Sequence, residues 1–397
     1  MGDPLHADRA QLPGGPGTRK AAHLPLGARL SEALPAGELP RLRERLLAWY
    51  DAHRRDLPWR TLPGETPDPY RVWLSEVMLQ QTRVETVKPY FARWLGRFPT
   101  LQSLADAPLD DVLKSWEGLG YYSRARNFHR AVREVAERHA GSVPDDPAAF
   151  RALPGVGRYT AGAVMSIAFG RGEALVDGNV RRVFARWTDD PAPADPALWS
   201  LAEALAPGAR PGDVNQAVME LGATVCVPRA PLCGECPVRE HCRAFRHGTQ
   251  AERPAPKKAK PTPHEDTAVA VVEHEGRTLL VRRPVDARLG GMWAFPAAVR
   301  RRGESVAAAA ERAVREGLAL EVRAGAAIGT VKHAFTHVRA SYHAVRCTPL
   351  SGDPRPLHYD AWAWATPAEL SAYALPVAQR RIAALAAEPS LFSGTEG

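Results

Sequence analysis

The chain has 397 residues, which is enough for two domains that each bury a hydrophobic core. Its hydrophobic share of 45% and charged share of 24% are ordinary for a globular protein, and no stretch reaches the ~18 apolar residues of a membrane span. The net charge of +8 favours a polyanionic partner, and the N-terminus lacks the apolar core of a secretory signal, which predicts a cytoplasmic protein.

The N-terminal residues are rich in glycine, proline and alanine without periodicity, so we expect a disordered leader over residues 1–38. Helical spacing of apolar residues begins near residue 39. The segment 54–60 leaves that helix at Pro58 and carries arginines on both sides of Trp59. This segment is either a packed loop anchored by the tryptophan or part of a binding site.

A helix is predicted over residues 70–88, and Glu76 lies on its apolar face with Val72 and Leu79. Burial disfavours the charged form of a carboxyl group, so Glu76 is expected to keep its proton to a higher pH than a free glutamate. Such a group can serve as a general acid. The alternative is a buried glutamate that is satisfied by an arginine or a helix end.

A glycine turn at residues 118–120 displays Tyr121 and Tyr122 ahead of an arginine-bearing helix. Aromatic side chains beside arginines suit insertion into a base stack. Packing of both rings under the turn is the alternative.

The stretch from Leu153 to Asp177 predicts two helices joined by a turn with Pro154, Gly155 and Gly157. In this helix-hairpin-helix, the second helix starts with N–H groups that have no partner within it, and a phosphate is favoured there. Asp177 follows between an apolar run and a basic helix start. It is either a simple helix cap or a carboxylate placed for chemistry.

Four of the five cysteines fall within 17 residues: Cys226, Cys233, Cys236 and Cys242. This distribution indicates metal binding in a reducing compartment rather than a disulfide framework. Four thiolates can hold a [4Fe–4S] cluster or a structural zinc ion. The spacing favours the cluster, because zinc loops more often consist of two knuckles separated by a longer finger.

A basic, proline-rich stretch over residues 247–265 is predicted to be a linker between a helical domain of residues 39–246 and a second domain of residues 266–390. In the second domain we expect two strands around a Glu275-Gly276 turn, a helix from about Ser305 that stops at Gly317, and further strands. This pattern predicts an α+β domain.

Five motifs occur together in the chain: Ser75-Glu-Val-Met-Leu-Gln-Gln-Thr, Trp116-Glu-Gly-Leu-Gly-Tyr-Tyr-Ser-Arg, Leu153-Pro-Gly-Val-Gly-Arg-Tyr-Thr-Ala-Gly-Ala, Val176-Asp-Gly-Asn-Val and the cysteine spacing. With them the chain resembles the MutY family of adenine DNA glycosylases from Arg41 to its end. The resemblance implies a multidomain protein. Its first domain is an all-α helix-hairpin-helix glycosylase domain with a [4Fe–4S] cluster loop, and its second is an α+β Nudix-like domain.

The resemblance also implies a role for particular residues. Glu76 is the acid that protonates adenine, Asp177 stabilises the sugar cation, and Tyr159 and Asn179 orient these groups. The base pocket is expected to contain Arg55, Trp59, Arg60 and Gln216. DNA contacts are expected from Gln81 and Tyr121, which enter the base stack, and from the hairpin residues Gly155, Val156 and Gly157.

In the C-terminal domain, Phe335-Thr336-His337 resembles a Phe-Ser-His loop that contacts 8-oxoguanine in this family, with threonine in place of serine. The paired glutamates of a Nudix hydrolase are missing between Glu311 and Leu318, so this domain should bind rather than hydrolyse. The implied partner is double-stranded DNA with adenine opposite 8-oxoguanine or guanine. We expect a monomer that is associated with the nucleoid.

Three alternative functions are considered, one of them a neighbouring type of glycosylase and two of them from other functional classes. An endonuclease III-like glycosylase and lyase would act on oxidised pyrimidines through a hairpin lysine, but Tyr159 occupies that position here. A non-catalytic DNA-binding protein should have lost Glu76 or Asp177, and this chain has both. A nucleotide-pool hydrolase is disfavoured by the missing glutamates.

Overall fold

The structure, a computed structural model, describes residues 36–62, 65–256 and 261–388. Most of the predicted leader, four residues of the predicted linker and residues 389–390 of the predicted second domain lie outside these ranges. No helix in the described part combines the length and apolarity needed to cross a bilayer.

The first domain contains twelve α-helices in the described ranges. In chain order they are α1 (Leu39–His53), α2 (Pro69–Leu79), α3 (Val84–Arg97), α4 (Leu101–Ala105), α5 (Leu109–Ser115), α6 (Ser123–Arg138), α7 (Pro147–Ala152), α8 (Arg158–Phe169), α9 (Gly178–Thr188), α10 (Asp195–Leu205), α11 (Pro211–Thr224) and α12 (Arg243–His247).

These helices form two lobes with separate hydrophobic cores. Helices α2 to α8 enclose one core, which contains the fully buried rings of Trp73, Trp94 and Trp116. Helix α1 and helices α9 to α12 enclose the other. Helix α8 contributes Val164 to the first core and Ala163 to the second. This helix therefore forms the wall between the lobes, and a site built on its first turn faces both.

The prediction of one helix over residues 70–88 is wrong. Helix α2 ends at Leu79, and α3 begins at Val84. Between them Gln81 has a φ of 56°, in the left-handed region that interrupts a helix. The apolar and charged pattern runs through the break without a proline or glycine, so local sequence rules do not mark it.

After α11 the chain forms the cysteine loop, with 3-10 turns at Cys233–Glu235 and Arg239–His241. The stretch predicted as a linker contains a further 3-10 turn at Gln250–Glu252. Its last residues, His264 and Glu265, belong to the first strand of the second domain.

The second domain is a mixed sheet with helices packed against it. Its strands are β1 (His264–His274), β2 (Arg277–Arg282), β3 (Trp293–Ala294), β4 (Ala297–Val299), β5 (Glu321–Ala334), β6 (Arg339–Ser351) and β7 (Ala361–Ala365). The order is β3-β2-β1-β6-β5, with β4 paired to β1 and β7 paired to β2. Strands β1 and β6 are parallel, and the other pairs are antiparallel.

Helices α13 (Val306–Leu318) and α14 (Val377–Ala387) complete this domain. The expected helix stop at Gly317 is wrong, because α13 continues to Leu318 and the left-handed cap is Ala319. A Cβ atom at Gly317 would lie 2.6 Å from the ring of Tyr359. This glycine therefore allows close packing of a tyrosine and does not end the helix.

Candidate active site

A cavity of about 630 Å³ opens between the two lobes, and this volume is sufficient for a nucleoside. Its walls come from the loop after α1, from α2, from the hairpin before α8, from the start of α9 and from α11. All eight residues that were predicted for catalysis and base binding line it: Arg55, Trp59, Arg60, Glu76, Tyr159, Asp177, Asn179 and Gln216. The fold thus gathers residues from five separate parts of the chain into one site.

Glu76 lies in this wall with only 5% of its surface exposed. The hydroxyl group of Tyr159 donates a hydrogen bond to its Oε2 atom over 2.5 Å. Burial raises the pKa of Glu76 to about 7, with a further increase from the charge of Asp177, although the bond from Tyr159 opposes the shift. A carboxyl group with this pKa is available both as an acid and as a base near neutral pH.

Asp177 occupies the N-cap position of α9, and its Oδ1 atom accepts a 2.7 Å hydrogen bond from the backbone of Val180. Its Oδ2 atom accepts from the side-chain amide of Asn179 at 3.1 Å. Burial raises the pKa of Asp177, and these hydrogen bonds oppose the increase. The two alternatives for Asp177 are therefore compatible, because one oxygen caps the helix while the carboxylate still lines the cavity.

Arg182 supports Asn179 from behind, and sequence reasoning assigned it no role. Its Nη2 atom donates to Oδ1 of Asn179 at 2.9 Å and to the carbonyl oxygen of Gly222 at 2.6 Å, and its Nε atom donates to that of Cys226. The basic start of α9 was visible in the sequence. The sequence did not show that the Arg182 side chain points inward, towards Asn179.

Glu220 is a second residue that sequence reasoning missed. Its carboxylate is buried and accepts hydrogen bonds from both Arg55 and Arg60. Burial opposes its ionisation, but the hydrogen bonds from the arginines outweigh burial and lower the pKa of Glu220 to about 2. Two arginines in a short loop around Trp59 were the available signal, because buried guanidinium groups need a carboxylate partner.

The two residues predicted to enter a base stack both lie on exposed turns. Gln81 and Tyr121 have positive φ angles of 56° and 48°, and the Tyr121 side chain is exposed while Tyr122 is buried. Arg124 holds both turns, since its guanidinium group donates to the carbonyl oxygens of Val77, Met78, Gln80, Leu119 and Gly120. One guanidinium group thus fixes the spacing between the turns.

The hairpin also lies at the mouth of the cavity. Gly155 has a φ of 76°, and a Cβ atom there would lie 2.6 Å from Cβ of Asn127. Gly157 is the N-cap of α8, and Val156 is buried in the core, so Val156 can offer only its backbone to a ligand. The N–H groups that begin α8 are therefore available to an anion.

The loop Phe335-Thr336-His337 joins β5 to β6 and meets the helical domain. Oγ1 of Thr336 lies 2.6 Å from the hydroxyl oxygen of Tyr121, although 215 residues separate them in the chain. Thr336 and His337 are exposed, and Phe335 is partly buried. The second domain thus places its predicted lesion-contacting loop directly against one predicted DNA wedge.

The four cysteines surround a small cavity of their own beside α9. No His, Cys, Asp or Glu group in the described ranges is spaced for a single metal ion, whereas a four-iron cluster takes sulfurs that lie further apart. The buried Arg186 donates to Sγ of Cys226 at 3.2 Å and to three carbonyl oxygens of the loop. Burial raises the pKa of Cys236 to about 12 and that of Cys242 to about 11, so both thiols stay protonated near neutral pH unless a cation lies beside them. The iron ions of a [4Fe–4S] cluster held by these four cysteines would supply that charge.

Three family models match the chain in consecutive segments. The first, described as a HhH-GPD superfamily base excision DNA repair protein, matches residues 74–207. The iron-sulfur binding domain of endonuclease III matches residues 226–242, which contain all four cysteines, and a NUDIX domain matches residues 267–385. These matches confirm the predicted fold class and identify the cysteine loop as a [4Fe–4S] cluster site.

Individual proteins are similar over most of the chain. The adenine DNA glycosylase of Rattus norvegicus is 38% identical over an aligned length of 397 residues, and the match covers 86% of this chain and 77% of the rat protein. The Homo sapiens adenine DNA glycosylase is 39% identical, and the match covers 77% of this chain and 66% of the human protein. A solved structure of a thermostable thymine-DNA glycosylase is 30% identical with a TM-score of 0.48, covering 53% of this chain and 98% of that chain. On the identity and coverage of the rat protein, this chain belongs to the family of adenine DNA glycosylases.

Proposed function

We propose that this protein removes adenine from DNA where adenine stands opposite 8-oxoguanine or guanine, by hydrolysis of the N-glycosidic bond. The observation that carries the proposal is the hydrogen bond from Tyr159 to Glu76 in the same cavity as Asp177. A base inside a duplex cannot reach such a cavity, so the adenosine must be flipped out of the stack, at a cost of a few kcal/mol.

Glu76 acts as the general acid. With a pKa of about 7 it carries a proton in a large fraction of molecules at neutral pH, and it delivers that proton to N7 of the adenine ring. The electron pair of the breaking C1′–N9 bond passes to the base, which leaves as neutral adenine. Tyr159 holds the Glu76 carboxyl group in place.

Asp177 stabilises the positive charge that develops on the sugar. Its carboxylate is held by Asn179 and by the backbone of Val180, so it does not have to reorganise when the charge appears. Water then adds to C1′, and the water proton passes to the ionised carboxylate of Glu76. The two carboxyl groups divide the roles of acid and cation stabiliser as in glycosidases.

The base pocket is formed by Arg55, Trp59, Arg60 and Gln216. Glu220 forms ion pairs with both arginines, so its carboxylate offsets one of their two positive charges and holds both guanidinium groups in the pocket wall. The cluster that the four cysteines hold keeps the loop 226–242 in shape, and no step of excision passes through it.

DNA binding is assigned to the exposed elements around the cavity. The hairpin N–H groups at Gly155 and Gly157 bind a phosphate, while Gln81 and Tyr121 fill the space that the flipped nucleotide leaves. The loop with Thr336 contacts the 8-oxoguanine. One chain supplies every residue of this proposed site, so a monomer suffices, and its place of action is the nucleoid DNA of the cytoplasm.

Little lyase activity is expected. Strand cleavage by a glycosylase of this fold would need an amine that attacks C1′, and none of the described residues that line the cavity is a lysine. Between residues 39 and 246 the chain has only Lys88 and Lys114, which pair with Glu85 and Glu117.

The test uses duplexes with adenine opposite 8-oxoguanine, adenine opposite guanine, and oxidised pyrimidines, followed by alkali to cut at abasic sites. We expect alkali-dependent cleavage at adenine, with the 8-oxoguanine duplex processed faster. Strand cleavage without alkali, or preference for the pyrimidines, would refute the proposal. Glu76→Gln should abolish excision and retain mismatch binding, whereas Glu137→Gln, which changes an exposed glutamate of α6, should alter neither.

A further inference from the structure

Residues 283–292, which we call the docking loop, connect β2 to β3 of the second domain and pack on the first. Met292 is fully buried in the core of the lobe formed by α2 to α8. Nη1 of Arg126 donates a 2.7 Å hydrogen bond to the carbonyl oxygen of Gly290. A Cβ atom at Gly291 would lie 3.1 Å from the side chain of Leu113, so the backbone itself approaches α5 closely.

The docking loop is also braced internally. The backbone N–H group of Arg283 donates to the carbonyl oxygen of Met292, and that of Gly291 donates to the carbonyl oxygen of Arg283. The side-chain Nε atom of Arg283 donates to the carbonyl oxygen of Arg288 over 2.8 Å. Because the docking loop is buried at Met292 and braced by these hydrogen bonds, it holds Arg288 in a fixed position relative to the helical domain.

Arg288 reaches from the docking loop onto the loop that carries Thr336. Its guanidinium carbon lies 5.0 Å from the centre of the Phe335 ring, within the range of a cation–π contact. On the same ring His333 makes an edge contact with a centroid distance of 4.5 Å. Nη2 of Arg288 is directed by a 2.7 Å ion pair with Glu265 at the start of β1.

The ring of Phe335 is therefore held while the next residue points at the helical domain. The backbone N–H of Phe335 donates to the carbonyl oxygen of Val338 at 2.8 Å, which closes the turn, and the hydroxyl of Thr336 meets that of Tyr121. The Tyr121 turn belongs to the helical lobe on which the docking loop packs. Arg288 is the side chain that transmits this anchoring to the Phe335 ring.

We propose that Arg288 is a positioning residue for lesion recognition, which sets the Thr336 hydroxyl against the DNA by holding the Phe335 ring on a loop docked to the catalytic domain. This inference rests on the proposed function, because it concerns the preference for 8-oxoguanine over guanine. Arg288 itself need not touch the base or take part in bond cleavage.

The test is the ratio of single-turnover excision rates for adenine opposite 8-oxoguanine and opposite guanine. Arg288→Ala should lower this ratio about two- to fivefold, the range that a partly exposed cation–π contact supports. Arg288→Lys keeps a cation over the ring and should recover part of the ratio. Phe335→Leu should have the same effect as Arg288→Ala, and the double variant should add no further loss if the two side chains act through one contact.

Arg302→Ala is the matched control, because this arginine is exposed in the turn after β4; it should change neither rate. If Arg288→Ala leaves the ratio unchanged, or lowers both rates equally, the positioning role is refuted while the proposed function stands. If the unaltered protein excises adenine at equal rates from the two duplexes, lesion preference is absent and the positioning role is refuted, while adenine excision itself stands. If neither duplex loses adenine, the proposed function fails. A variant that is partly unfolded would lose both excision rates by the same factor and keep their ratio, so a loss of stability cannot imitate the expected result.

Discussion

Raising the pH above 7 should slow adenine excision, because the proposed acid must carry a proton when the base leaves. Burial is the main reason that Glu76 keeps this proton, the charge of Asp177 adds to it, and the bond from Tyr159 acts in the opposite direction. Asp177 must be ionised to stabilise the sugar cation, and burial raises its pKa above the ordinary value. A bell-shaped pH profile follows, with Asp177 on the acid limb and Glu76 on the alkaline limb.

The size of the effect follows from the pKa of Glu76. A group with a pKa of about 7 is protonated in about half of the molecules at pH 7 and in about one tenth at pH 8. A glutamate with the ordinary pKa of 4.5 would be protonated in about 0.3% of molecules at pH 7. Burial thus increases the population of the competent acid more than about a hundredfold at neutral pH.

The substitution Tyr159→Phe tests the assignment of Glu76 to the alkaline limb of the pH profile. The hydrogen bond from Tyr159 stabilises the charged form of Glu76, so its loss should raise the pKa of Glu76 and move the alkaline limb to higher pH by about one unit. The maximum rate should also fall, because the carboxyl group loses its orientation. Tyr70→Phe, which removes a buried hydroxyl group bonded to the carbonyl oxygen of Phe98, should leave the limb in place.

The assay is the single-turnover rate of excision on one mismatched duplex between pH 5 and pH 9, with DNA binding measured at each pH. A rate that stays constant or increases above pH 8 would contradict the assignment of Glu76 as the acid. A shift of the limb to lower pH in Tyr159→Phe would show that the hydrogen bond supports the neutral form instead.

Two further predictions concern stability. Glu220→Gln should lower the free energy of unfolding at pH 7 by about 2–3 kcal/mol in a denaturation experiment. The pKa of Glu220 is about 2 in the folded protein and about 4.5 in the unfolded chain, so this stabilisation is present above pH 4.5 and is lost as the pH falls through 2. Glu203→Gln is the control with little effect in the same experiment, because Glu203 forms an exposed ion pair with Arg158. Gly162→Ala would place Cβ 1.9 Å from the carbonyl oxygen of Ala174 and should lower the melting temperature by about 5–10 °C, whereas Gly96→Ala, with open space around it on α3, should raise it slightly. A neutral Gly162→Ala would contradict the close approach.

Several features followed from local sequence alone. The turn with Pro154, Gly155 and Gly157 depends on backbone preferences that act within a few residues, and the structure has helices on both sides of this turn. The expectation that Glu76 would hold its proton came from the apolar residues around it on one helix face. Its pKa of about 7 agrees with that reasoning.

The helix break after Leu79 shows where local reasoning fails. The carbonyl oxygens at the end of α2 find their donor in Arg124, which lies on α6 more than forty residues further along the chain. A helix end that is satisfied by a distant side chain leaves no cap signal in its own sequence. The same holds for Arg182 and Glu220, whose types were visible but whose partners were not.

The sequence by itself determined the helical hairpin, the four thiols of the cluster loop, the two carboxyl groups and the missing acidic residues of the second domain, because each depends on residue type and short-range spacing. Only the tertiary structure decided that Tyr159 donates to a carboxylate 83 residues away and that Arg288 holds the ring beside Thr336. Such pairs form when separate cores pack and bring distant segments within hydrogen-bonding distance. Their energy is gained only in the folded chain, so no local pattern records it.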